Sequence, residues 1–90
     1  MEIKTILIIG FGSIGRRHLK IIKKLRPEIK VNLLIRQISL NKVKEQKLLN
    51  KTFTNIKDAI DEGADAAIVA SPANLHIEHS MHLLKAKIPV

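Results

Sequence analysis

Apolar positions along the chain follow two rhythms that take turns. Residues 3–9, Ile-Lys-Thr-Ile-Leu-Ile-Ile, are β-branched and almost continuously apolar. That predicts a strand buried on both faces of a parallel sheet. Residues 13–26 change to a helical spacing, with Ile14, His18, Ile21, Ile22 and Leu25 on one stripe and most cations elsewhere. Pro27 ends that helix, because its ring and missing N–H cannot continue the ladder. Residues 31–35 predict a second strand, and residues 39–49 a weaker helix on Leu40, Val43, Leu48 and Leu49. A short strand is expected at 52–54, and a short helix at 56–62 closed by Gly63 at a C′ position. Another buried strand follows at 65–70. Ser71-Pro72-Ala73-Asn74 reads as a turn, and 75–86 as a helix with Ile77, Met81 and Leu84 on one face. Pro89-Val90 reads as the start of one more strand.

Strands and helices in strict alternation predict an α/β fold with a parallel sheet covered by helices. Right-handed crossovers make it a Rossmann-like, doubly wound sheet. Residues 1–90 form one domain, with no repeat, linker or low-complexity tract. The last apolar residue lies inside a predicted strand, which leads us to expect a domain cut short. An open sheet edge would remain, and such an edge invites a second copy to pair with it.

Composition narrows the function classes. The chain has 90 residues, no Cys, 16 Lys+Arg against 8 Asp+Glu, and a formal net charge of +8. Without Cys there is no disulfide framework, thiolate metal site or cysteine nucleophile. No run reaches the ~18 apolar residues of a membrane span. No small-residue cleavage site follows the N-terminal apolar run, so a cytoplasmic protein is expected. The charge makes anionic partners plausible. The cations are nevertheless spread over two helices, and only Phe11 and Phe53 are aromatic. A nucleic-acid binder built on base stacking is therefore disfavoured.

The most informative segment is Gly10-Phe11-Gly12-Ser13-Ile14-Gly15. G-x-G-x-x-G alone is a weak signal. Here it follows a buried strand, opens an amphipathic helix and sits inside a βαβ unit, which is the dinucleotide-binding context. Gly10 permits the tight turn, Gly12 lets the backbone approach a pyrophosphate, and Gly15 lets the helix lie on the strand. Ser13 and Ile14 place their backbone N–H groups at the positive end of the helix, facing that anion. The alternative is a strand-to-helix turn whose glycines serve geometry alone. A phosphate-binding NTPase loop fails at Arg17, which stands where the metal-binding hydroxyl is needed.

An NAD site places a carboxylate on the ribose about 20 residues past the loop. This sequence has Arg36 there, and no Asp or Glu before Glu45. A guanidinium attracts a 2′-phosphate, which favours NADP over NAD. The alternative is a solvated strand-end arginine. His76, His79 and His82 recur at three-residue intervals, but Glu78-His79-Ser80-Met81-His82 is not H-E-x-x-H and no metal site is expected.

Gly10–Gly15, then Arg16-Arg17-His18, then Ser71-Pro72-Ala73-Asn74-Leu75-His76, then Leu84-Lys85-Ala86 resemble the glucose–fructose oxidoreductase/inositol dehydrogenase (Gfo/Idh/MocA) family. The similarity is to its N-terminal nucleotide-binding domain and spans essentially all 90 residues. The family reads T-P-N-x-x-H after the fourth strand, so the resemblance implies that Ser71, Pro72 and His76 border the cofactor. Ser71 keeps the hydroxyl of the usual Thr, whereas Ala73 loses the polar contact of the usual Asn. Lys87 replaces a helix-ending Gly, at a cost on the order of 1 kcal/mol if its backbone is left-handed.

The resemblance further implies hydride transfer between a nicotinamide and a secondary alcohol or ketone of a sugar, sugar nucleotide or cyclitol. The family's E-K-P lysine, implicated in proton transfer, and its second, substrate-binding domain would follow Val90. No catalytic residue is therefore assigned here. A small-molecule substrate is expected only for a longer protein, and the fragment alone is expected to be inactive. The alternative is a non-catalytic dinucleotide-binding or sensing module.

Overall fold

The computed structural model describes residues 3–10, 13–35, 46–70 and 73–89, with the backbone alone at 46 and 73–78. Its elements run β1 (Thr5–Ile9), α1 (Ser13–Leu25), β2 (Lys30–Leu34), a 3-10 turn (Gln46–Leu48), β3 (Lys51–Phe53), α2 (Ile56–Glu62), β4 (Ala66–Val69) and α3 (Ala73–Lys85). The strands form one parallel sheet in the order β3-β2-β1-β4. The chain steps from β1 outward to β2 and β3, then returns through α2 to the other side of β1. This reversal makes the sheet doubly wound, as the alternating pattern implies.

Side chains alternate across each strand and build a core on both faces. Ile8, Val31, Leu33 and Ile35 meet Leu19 of α1 on one face. Leu7, Ile9, Leu34 and Ala67 meet Ala59 of α2 and Leu83 of α3 on the other. Leu7, Ile8, Leu19, Leu33 and Leu83 are wholly buried. The near-continuous apolar runs in β1 and β2 are thus explained by two covered faces.

Several ends are fixed by specific bonds. Asn55 caps α2, its Oδ1 accepting from the Lys57 N–H at 2.8 Å. Gly63 closes the same helix at φ 90°, ψ 145°, a region open essentially to glycine alone. The Arg26 N–H still donates to the Ile22 carbonyl at 2.7 Å before Pro27 turns the chain. The Lys23 Nζ reaches the Ile29 carbonyl at 2.6 Å and ties α1 to the start of β2. The Asp65 carboxylate accepts the N–H groups of Lys4 and Thr5 at 2.8 and 2.9 Å, joining the first turns of β1 and β4.

Four expectations need correction. On α1, the buried positions are Gly15 and Leu19, with Ile22 half-buried, while Ile14, Ile21 and Leu25 are exposed. Two apolar stripes compete on this helix, and the one containing Gly15 wins because a residue without a side chain lets the backbone settle against the sheet. On α3, Leu83 is buried whereas Met81 and Leu84 are exposed, because the Leu83 side of the helix faces β4. The helix also begins at Ala73, so Ala73 and Asn74 belong to it rather than to a turn. Of the helix expected at 39–49, residues 39–45 lie outside the described residues. Residues 46–48 form only a 3-10 turn. The Asn50 N–H is committed to the Val31 carbonyl at 2.8 Å, which draws the chain out toward β3.

Among the described residues the C-terminal end forms no further strand, although its backbone begins to follow β4. The Ala67 N–H donates to the Pro89 carbonyl at 2.7 Å, so the chain returns alongside β4 on the edge away from β1. Val90 lies outside the described residues.

Candidate functional site

The carboxyl ends of the strands converge at the point where the chain reverses direction. The Gly10 N–H donates to the Leu34 carbonyl at 2.8 Å, and the Ala70 N–H to the Ile9 carbonyl at 2.8 Å. The Ile35 N–H donates to the Phe53 carbonyl at 3.0 Å. Gly10, Ile35 and Ala70 therefore leave the sheet side by side. In open α/β sheets a ligand binds in the crevice outside such a switch point.

Gly10 has φ 88°, a conformation that L side chains rarely adopt. It stands at the end of β1, directly after Ile9. Ser13 and Ile14 open α1 and are exposed, while Gly15 is buried against the sheet. The first turn of α1 contains no acidic residue, and Arg16 and Arg17 follow. The first N–H groups and positive dipole end of this helix carry no acidic residue in their own first turn. This geometry fits an anionic phosphate group.

Among the candidate residues, Gly10, Ser13, Ile14 and Gly15 are brought together at the end of β1 and the start of α1. Phe11, Gly12, Arg36, Ser71 and Pro72 lie outside the described residues. His76 lies in the first turns of α3, described by its backbone alone. Ile35 and Ala70, which precede Arg36 and Ser71 in the sequence, are the residues just placed beside Gly10.

The described carboxyls held below their ordinary range lie at the opposite end of the sheet. Asp65 is lowered by the N–H groups of Lys4 and Thr5, and Glu28 by its bond to the Arg26 guanidinium. Both roles are structural. The hydrophobic pattern does not single out Asp65, because its carboxylate bonds the backbone of Lys4 and Thr5 rather than its own neighbours. Among the described residues no three His, Asp or Glu side chains cluster to hold a metal ion. No described helix is long and apolar enough to cross a membrane.

Residues 4–90 match the family described as "Oxidoreductase family, NAD-binding Rossmann fold" (GFO_IDH_MocA). The chain belongs to this family. No curated protein matches it. Among solved structures, a probable dehydrogenase from Thermotoga maritima is 30% identical, with a TM-score of 0.76 over 93% of this chain and 26% of that one. The WlbA dehydrogenase from Bordetella pertussis, in complex with NADH and UDP-GlcNAcA, is 19% identical. Its TM-score is 0.82, over 97% of this chain and 28% of that one. Scyllo-inositol dehydrogenase from Lactobacillus casei, with bound NAD(H) and scyllo-inositol, is 20% identical. Its TM-score is 0.74, over 97% of this chain and 26% of that one. The last two likenesses show the fold. The chain spans about a quarter of the length of each of these proteins.

Proposed function

We propose that this Gfo/Idh/MocA chain is a nucleotide-binding domain that holds NAD or NADP at the carboxyl ends of β1 and β4. The observation that carries the reading is Gly10, at positive φ at the end of β1, with an α1 after it whose first turn lacks acid. The backbone from Gly10 through Phe11, Gly12, Ser13, Ile14 and Gly15 would cradle the pyrophosphate. Arg36, one residue beyond Ile35, would meet the adenosine ribose and favour a 2′-phosphate over two free hydroxyls. Ser71, Pro72 and His76, following Ala70, would border the nicotinamide end.

When bound, the cofactor supplies the hydride chemistry. The chain's own residues would bind the phosphates and border the nicotinamide near the end of β4. We assign no proton-transfer residue within residues 1–90. The domain would serve an oxidoreductase acting on a secondary alcohol or ketone of a sugar, sugar nucleotide or cyclitol. The UDP-GlcNAcA and scyllo-inositol found with two proteins of the same fold support that class. The 90-residue chain by itself is proposed to bind cofactor without turnover.

Parallel fluorescence titrations of NADPH and NADH test this reading. The chain has no Trp or Tyr, so reduced nicotinamide emission is read without protein background. Saturable binding with NADPH preferred is the expected result, together with a loss of that preference in Arg36→Glu. A preference for NADH would remove the role given to Arg36. A folded chain that binds neither, or one that oxidises a polyol unaided, would overturn the proposal.

A further inference from the structure

The crevice at the carboxyl ends of the strands extends past β2 to the end of β3. Leu34 pairs with Phe53, and the Ile35 N–H donates to the Phe53 carbonyl at 3.0 Å. Thr54 therefore leaves the sheet beside Ile35, the residue that precedes Arg36. With strands about 4.8 Å apart, the end of β3 stands roughly 10 Å from the end of β1. A dinucleotide with its pyrophosphate at the end of β1 and its ribose at the end of β2 has its base next in line, at the end of β3. This corner lies at the edge of the sheet farthest from β4, along which Pro89 runs. Two neutral polar side chains stand there. Thr54 and Asn55 are exposed, and no carboxylate occurs from Lys51 through Lys57. Asn55 is extended, at φ −127° and ψ 130°, and its Oδ1 accepts the Lys57 N–H at 2.8 Å. That bond engages the oxygen of the amide, so what Asn55 offers a ligand is Nδ2, a donor only. The neighbouring Thr54 hydroxyl can accept. A neutral donor next to a neutral acceptor suits the edge of a base better than a phosphate.

We propose that Thr54 and Asn55 read the adenine edge of the dinucleotide. The Thr54 Oγ1 accepts from the N6 amine, and the Asn55 Nδ2 donates to N1. This assignment rests on the cofactor reading above and adds the base that the site selects. It uses the two side chains, not the N–H groups at the start of α2. A hypoxanthine ring puts an oxygen at position 6 and an N–H at position 1. The Thr54 hydroxyl can turn to donate to that oxygen, but Nδ2 then meets a second donor. A site that leaves a polar group unpaired rejects the analogue.

The test titrates the full chain with NADH and with reduced nicotinamide hypoxanthine dinucleotide. Both carry the same nicotinamide, so one emission signal reads both. The wild type is expected to bind NADH with a Kd at least about tenfold below that of the hypoxanthine analogue. Asn55→Asp keeps an oxygen for the Lys57 N–H and replaces the donor by an acceptor. It is expected to shrink that ratio at least about tenfold, because its carboxylate favours the N–H of hypoxanthine. Thr54→Val removes the hydroxyl and is expected to raise the Kd for NADH by about three- to tenfold. Both positions are exposed, and thermal melts establish that each variant folds. Three results, with NADH still bound saturably, would overturn this assignment and leave the cofactor reading standing. They are equal affinity for the two dinucleotides in wild type, an unchanged ratio in Asn55→Asp, and an unchanged Kd in Thr54→Val. A folded chain that binds neither dinucleotide would overturn both.

Discussion

Ile88 and Leu83 meet across the end of α3. The Ile88 N–H donates to the Leu83 carbonyl at 2.9 Å, and both side chains lie in the same buried cluster. The Lys87 N–H donates to the Leu84 carbonyl at 3.0 Å, which completes a Schellman motif with its hydrophobic contact. The residue between the two contacts must then be left-handed, and Lys87 has φ 59°. Lys87→Gly is expected to stabilise the fold by about 1 kcal/mol, because glycine adopts this conformation without the Cβ penalty. A thermal melt should move up by about 4–8 °C for a chain of this size. An unchanged or lower midpoint would contradict the strain.

Asp65 makes stability depend on acid. Its folded carboxyl titrates below the usual Asp value, since Lys4 and Thr5 bond the charged form. Below about pH 4 the unfolded chain takes up the proton first. The stabilisation is therefore present above that value and lost as pH falls through the lower folded value. Glu28 acts in the same direction through Arg26, but that pair is exposed and salt screens it. Chemical denaturation between pH 2 and 6 in about 0.5 M salt should show a slope that Asp65→Ala flattens. An identical slope in the variant would contradict the role.

Asn32 is the buried polar side chain of the central sheet, 1% exposed, and its Oδ1 accepts from the Asn50 Nδ2 at 3.0 Å. Asn50→Ala leaves that oxygen without its partner and is expected to cost about 1–3 kcal/mol. Asn32→Leu combined with Asn50→Ala should recover part of the loss, because the orphaned group is then gone. Urea unfolding of the four forms measures the coupling. Additive losses would contradict it.

Gly10→Ala is expected to destabilise the chain by on the order of 1 kcal/mol, since φ 88° admits a Cβ only with strain. Gly12→Val is expected to block cofactor approach by its side chain. Melting curves and NADH titration of both variants separate the two effects. Equal cofactor affinity in wild type and Gly12→Val would remove the phosphate loop from the account.

The fold was legible because strand and helix periods alternate without ambiguity from Thr5 to Phe53 and again from Ile56 to Lys85, outside the segment after β2. Which face each helix buries was less legible. On α1 the sets Gly15–Leu19–Ile22 and Ile14–Ile21–Leu25 are both apolar at helical spacing. Only the sheet decides between them. The same holds for Leu83 against Met81 and Leu84. Asp65 escaped notice because its partners lie 60 and 61 residues away in sequence. Lys87 could be read, since a helix-ending position without glycine stands out against the family pattern. For the candidate site, the sequence placed the glycine run at the end of the first strand. The structure adds that β2 and β4 end beside it.

The most direct measurement is an amide chemical-shift map of the 15N-labelled chain titrated with NADH and NADPH. The account predicts that the largest changes fall on residues 10–17, 35–36 and 70–76, at the carboxyl ends of β1, β2 and β4. Shifts confined to other segments, or a folded chain whose spectrum does not change, would contradict it.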